Sequence, residues 1–198
     1  MPVLPLEPFV FPDDLFQAAF PGEDHSARWW VLQTRPRLEK SLARRLLRKQ
    51  ASFFLPLHTH RWRTQGRWVC SHNPLFTGYL FLHGDSEARL LAMQTNLVAL
   101  CLPVVDQEQL WTDLARVHRL ITSGAPLTPE DRLQVGDPVE ITSGPLAGME
   151  GKILRHGSKL RFCVEVQLLQ RGVSVDIDRS MLRPSVCAPA RQNILSQA

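Results

Sequence analysis

A dense apolar run, Pro74-Leu75-Phe76-Thr77-Gly78-Tyr79-Leu80-Phe81-Leu82, occupies the middle of the chain between His72-Asn73 and His83-Gly84-Asp85. Its length and aromatic content predict a strand, and the lack of apolar–polar alternation predicts that both faces are covered. With a period of two, Phe76, Gly78, Leu80 and Leu82 face one way, and Leu75, Thr77, Tyr79 and Phe81 the other. Gly78 weakens a strand interior unless something packs closely over it. Tyr79 joins a large apolar body to a polar tip, a residue type favoured at partner surfaces as well as in cores.

The flanking patterns supply the other elements. Trp29–Thr34 has the β propensity of a strand. Pro36 suits a first helical turn, and the stripe Leu38, Leu42, Leu46 and Leu47 carries a helix to about Gln50. Phe53–Arg63 and Trp68–Cys70 form the arms of a hairpin around Thr64-Gln65-Gly66-Arg67. Asp85 caps a short helix through about Gln94, and Leu97–Val105 is apolar enough for a buried strand. Asp106-Gln107-Glu108-Gln109 has the form of a capping box, opening a helix on Leu110, Leu114, Val117 and Ile121 that Ser123-Gly124 ends. This order predicts an α+β domain over residues 28–124, with one mostly antiparallel sheet flanked by helices.

Beyond it the texture changes. Residues 125–131 carry two prolines and no apolar period, which reads as a linker. Residues 132–186 are all-β: Pro138–Thr142, Gly151–Arg155, Leu160–Leu169, Val173–Ile177 and Leu182–Arg183, five short strands that suggest a small closed barrel. Residues 187–198 read as a frayed tail. Residues 1–27 form a proline-rich extension with five acids and no Lys or Arg, in which a turn or two of helix from Asp13 to Phe20 could dock on the domain.

Charge adds a partner class. The 198 residues carry a net charge of +4, but eleven of the 23 Lys and Arg residues, against one of the 19 acids, fall between Arg28 and Arg67. Arg35, Arg37, Lys40, Arg44 and Arg45 sit on the first helix and its approach, and Arg61, Arg63 and Arg67 at the hairpin tip among Trp62 and Trp68. Segregated cations interleaved with indoles fit a nucleic acid. The four cysteines are scattered without a CxxC pair, and no apolar segment reaches the length that spans a bilayer, so a soluble cytoplasmic protein is expected. The start has no basic region followed by an apolar run, so no signal peptide is expected.

Gly136-Asp137-Pro138-Val139-Glu140-Ile141-Thr142-Ser143-Gly144-Pro145-Leu146-Ala147-Gly148-Met149-Glu150-Gly151 resembles a KOW motif. Val139 and Ile141 face a core, Gly144-Pro145 turns the chain, Gly148 and Gly151 lie where the barrel bends, and Leu146 is left on an exposed loop. With Trp29-Trp30-Val31, the basic helix, the arginine-rich hairpin and Leu75-Phe76-Thr77-Gly78-Tyr79-Leu80-Phe81 in front of it, residues 28–186 resemble the NusG family of transcription factors. Thr77 stands where the family usually has proline. The lengths and the Pro-Leu-Phe-x-Gly-Tyr-Leu-Phe spacing resemble the specialised paralogue RfaH as much as the housekeeping member.

The resemblance implies a factor that binds the clamp helices of bacterial RNA polymerase through an apolar depression holding Phe76 and Tyr79, supported by Leu80. It places Arg35, Arg37 and Lys40 against the non-template DNA strand. It gives the barrel a second partner, either Rho or a small-subunit ribosomal protein, and implies suppression of pausing or termination with no bond-making chemistry, no cofactor and no membrane contact. A ribosome-associated, RNA-binding KOW protein is the alternative, but residues 131–186 hold eight basic and seven acidic residues, little charge for that role. No phosphate-cradling glycine loop, nucleophile elbow or HExxH is present. His58, His60, Cys70 and His72 could ligate zinc only if the hairpin register brought all four to one face.

Overall fold

The computed structural model describes residues 8–17, 27–64, 66–130, 136–156 and 159–185, without the side chains of 155, 156 and 159. The tail 187–198 and the part of the expected Asp13–Phe20 helix beyond Gln17 lie outside the described residues, and Asp13–Gln17 form turns. Two β systems and an isolated ribbon organise the chain.

The first sheet contains β1 (Val10–Phe11), β2 (Arg28–Thr34), β3 (Ser52–Phe54), β6 (Tyr79–Gly84) and β7 (Val98–Leu102), in the order β1-β3-β6-β2-β7 and antiparallel throughout. The isolated ribbon pairs β4 (Leu57–Thr64) with β5 (Arg67–Pro74). Helices α1 (Glu39–Arg48) and α2 (Ser86–Gln94) cover one face of the sheet, over Leu32, Phe53, Leu80 and Leu82. The other face, with Trp29, Val31, Phe54 and Phe81, lies under α3 (Gln107–Thr122) through Leu110, Leu114, Val117 and Leu120. Burial of such side chains contributes roughly 1.5–3 kcal/mol each. Asp85 and Asp106 cap α2 and α3 by accepting from the Ala88 and Gln109 N–H groups, as their positions predict. Helix α1 begins at Glu39, later than Pro36 suggests, because Arg37 takes a left-handed conformation with φ 63°.

The central run departs from the straight strand expected of it. Pro74 ends β5, Leu75 to Gly78 turn, and β6 starts at Tyr79. Gly78 has φ 85°, and a Cβ there would meet nothing within 4 Å; it serves the turn by its backbone freedom, not by close packing. The turn resets the facing, so Phe76 joins Tyr79 and Phe81 on the α3 side while Leu80 lies on the other.

The second β system contains β8 (Leu127–Glu130), β9 (Asp137–Ile141), β10 (Glu150–His156), β11 (Lys159–Val166), β12 (Arg171–Asp176) and β13 (Leu182–Pro184), ordered β13-β9-β10-β11-β12-β8. Strands β8 and β13 end that order, and the unit is the small all-β region expected, consistent with a KOW domain. The segment read as a linker is therefore partly a strand: Leu127–Glu130 pairs with Gly172–Val175. Phe162, Val164 and Val166 alternate into the core as predicted, whereas Leu168 falls in a 3-10 turn that ends β11.

The extension is also structural. Val10–Phe11 adds an edge strand to β3, and Phe16 stacks on Trp29 with ring centroids 5.7 Å apart.

Candidate functional site

The turn before β6 is held from α1. Glu39, only 4% exposed, accepts a hydrogen bond from the Gly78 N–H at 2.7 Å, and the Gly78 carbonyl accepts from the Thr34 N–H at 2.8 Å. Phe76 is buried edge-on against Phe81, with centroids 6.1 Å apart. Tyr79 is half-buried and opens a row across the sheet. It pairs with Gln33, which pairs in turn with Leu100 of β7, so all three project from one face. Leu100 is half exposed. Of the three apolar candidates, Phe76 and Tyr79 therefore share a face, while Leu80 is sealed beneath α1 on the opposite side.

The second β system packs against this region through α3. Leu146 and Met149, from the motif loop, join the core that contains Leu114 and Val117. Leu146, expected on an exposed loop, is only 8% exposed. Arg119 donates to the Ala147 carbonyl at 2.5 Å, and Arg116 pairs with Glu150 at 3.5 Å. Asp113 accepts from the Gln167 N–H at 3.0 Å and from Gln109 Nε2 at 2.8 Å. Burial raises its pKa to about 6, partly offset by those hydrogen bonds and by the charge of Arg116, with Glu165 pushing it further up. Arg171 reaches farther, placing its guanidinium 5.4 Å from the Tyr79 ring centroid and donating to the Thr77 carbonyl at 3.3 Å.

Glycine has different uses along the motif loop. Gly144 and Gly148 take positive φ, whereas Gly151 is required by proximity: a Cβ there would sit 2.5 Å from the Cys163 carbonyl oxygen and 2.6 Å from the Phe162 ring. Val139 and Ile141 are buried; Asp137 and Pro145 are exposed, and Gly136 lies against the Ile153 backbone.

The cations spread over two surfaces. Arg35 and Arg37 are exposed in the turn before α1, with Lys40 half-buried in its first turn. Arg44 and Arg45 lie farther along, but Arg45 is engaged within the fold, donating to the Thr95 carbonyl at 2.9 Å. Arg61, Arg63 and Arg67 are exposed on the ribbon. Its register pairs Thr64 with Arg67, which sets His58 and His60 on one face and Cys70 and His72 on the other. No group of three or more metal-ligating residues comes together among the described residues. Burial, then neighbouring His60, lowers the pKa of His58.

Three participants escape a residue-by-residue reading of motifs. Leu100 has no local signal, since its role depends on strand pairing. Arg171 comes from the far end of the chain. Asp113 does leave a trace, an acid inside the apolar stripe of Leu110, Leu114 and Val117.

An α+β domain carrying a basic face, followed by a small all-β unit consistent with a KOW domain, defines a two-part architecture. The family model described as transcription termination factor nusG matches residues 27–130, more than half of the chain, and the chain belongs to the NusG family. Among solved structures, one of the domain interaction in Thermotoga maritima NusG is similar at 18% identity and a TM-score of 0.48, covering 81% of this chain and 98% of that one. The MjSpt4:Spt5 complex in conformation A is similar at 16% identity and a TM-score of 0.25, covering 79% and 97%. No curated protein matches the chain. No helix among the described residues is long and apolar enough to cross a membrane.

Proposed function

We propose that this chain is a bacterial transcription elongation and antitermination factor that grips the clamp helices of RNA polymerase through Tyr79 and its neighbours. The observation that carries the reading is the row Tyr79–Gln33–Leu100, left partly open at the end of the sheet beside the buried Phe76 turn. A partly open aromatic anchor held by a strand of the sheet is the kind of group that dominates a protein interface. Phe76 lies buried beside this row on the same face, and Leu80 belongs to the core behind it. A factor that binds a closed clamp better than an open one shifts the polymerase away from paused states without chemistry. Arg35, Arg37 and Lys40 supply phosphate contacts to the non-template DNA strand, adding affinity with little sequence discrimination.

The barrel recruits Rho or a small-subunit ribosomal protein. Its motif loop rests on α3 and its Arg171 lies over Tyr79, so this docking occupies the Tyr79 surface. Polymerase and barrel therefore compete for Tyr79, and engagement releases the barrel to its partner. The test is Tyr79→Ala in the full chain, which should weaken binding to core polymerase by roughly 2 kcal/mol, the hot-spot scale, with an unchanged circular dichroism spectrum. A folded variant with undiminished affinity would place the polymerase contact elsewhere.

A further inference from the structure

The β4–β5 ribbon is packed into the domain only at its root, where Leu57 is buried, and from Thr59 to Trp68 its described residues are exposed. Six strand residues span about 20 Å at 3.4 Å each, so this is a projecting arm with solvent on both sides. A two-stranded ribbon without a covering layer is marginal in water, which makes its two tryptophans costly ornaments for a purely structural loop.

Cross-strand pairing sorts the arm into two faces. Arg61 and Arg63 project with Trp68, since Arg63 pairs directly with Trp68. The opposite face carries Trp62, which pairs with Val69 and lies against His60 with ring centroids 5.2 Å apart. Trp62 is therefore occupied by its own neighbours, whereas Trp68 is 68% exposed. Among the described residues, the guanidinium groups of Arg61 and Arg63 have no hydrogen-bond or ion-pair partner. No Asp or Glu occurs anywhere from Lys40 through Gly84.

We propose that the Arg61–Arg63–Trp68 face binds single-stranded DNA, with one unpaired base stacked on the Trp68 indole and the adjoining phosphates on the two arginines. A duplex offers phosphates but no free base face, so the exposed indole selects an unpaired strand. The face offers cations and a ring, and its one hydroxyl, on Thr59, is engaged with His72 Nδ1 at 3.0 Å, so no free side-chain hydroxyl is present to single out a ribose. An acidic peptide would satisfy the arginines but leave the indole unused. This deepens the nucleic-acid half of the proposed function, adding a site separate from the approach to α1, and does not depend on the polymerase half.

The test uses the full chain and a fluorescein-labelled oligo-dT, with no polymerase present. Trp68→Ala should lower affinity about tenfold, the scale of one lost base stack, and Trp68→Phe should restore most of it. Arg61→Gln with Arg63→Gln should flatten the dependence of log K on log salt by about 1.4, at 0.7 per single-strand phosphate. Trp62→Ala, on the other face, should change little. Unchanged binding in folded Trp68→Ala, a loss confined to Trp62→Ala, or equal competition by duplex DNA, oligo-U RNA or polyglutamate would each overturn the proposal. Because polymerase is absent, such a failure leaves the Tyr79 reading standing, and a failure of Tyr79→Ala on polymerase leaves this one standing.

Discussion

Glu39 binds Gly78: a carboxylate on the first turn of α1 accepts the backbone N–H of the turn that delivers Tyr79, at 2.7 Å. The only acid between Arg28 and Arg67 is thereby withdrawn from the basic surface and used to fix the turn before Tyr79. Glu39→Ala leaves the Gly78 N–H without its acceptor and should cost about 1–3 kcal/mol, the penalty for an unsatisfied buried group. Glu39→Gln keeps an acceptor oxygen and should lose less. Urea unfolding followed by tryptophan fluorescence measures both, and equal stability for Glu39→Ala would remove the bond from the account.

Docking of the barrel should depend on pH through Asp113. Its carboxyl titrates near 6 when buried against Gln167, against an ordinary 3.8 once released. Docking therefore takes up a proton between those values. The raised pKa makes its contribution full at the acid end and lost as pH rises through about 6, a swing of roughly 1–3 kcal/mol. Asp113→Asn keeps an acceptor for the Gln167 N–H without the charge and should flatten the profile. An interdomain fluorescence-transfer pair, read across that range, would show the dependence vanish in the variant or expose the assignment as wrong.

Arg171→Ala removes the cation above Tyr79 and the hydrogen bond to the Thr77 carbonyl. An exposed cation–π contact is worth about 0.5–1 kcal/mol, so the variant should bind polymerase two- to fivefold more tightly if the barrel competes for Tyr79. Weaker binding, measured by titration against core polymerase, would mean instead that Arg171 touches the polymerase itself.

Gly151→Ala drives a methyl into the Cys163 carbonyl and the Phe162 ring. Overpacking of this kind costs about 1–3 kcal/mol. Thermal unfolding of the full chain, with the barrel followed by amide signals of β10 and β11, should show that unit losing stability while the first sheet keeps its own.

Much of this arrangement is legible in the residues, and the failures have physical reasons. The unbroken apolar run around Tyr79 announces a strand covered on both faces, which α1, α2 and α3 provide. It does not announce where the strand begins. A single left-handed Gly78 resets the period of two, moving Phe76 across to the face of Tyr79. Leu146 looks exposed because its loop is short and glycine-rich; its cover comes from α3, a contact that local pattern cannot encode. Leu127–Glu130 has the composition of a linker and becomes a strand only because β12 offers it an edge. The opposed facing of His58 and Cys70, by contrast, follows from hairpin register alone, and the register is the one that the turn residues imply.

The two-residue strand β1 has a meaning for assembly. It lies along β3 at one side of the first sheet, while β7 ends the other. A very short outer strand is a poor template for further pairing, and a long one is a good template. Strand addition to this sheet is thus blunted on the β1 side and left to the β7 edge. Val10 and Phe11 act as a guard, occupying the β3 edge that would otherwise be offered to another chain.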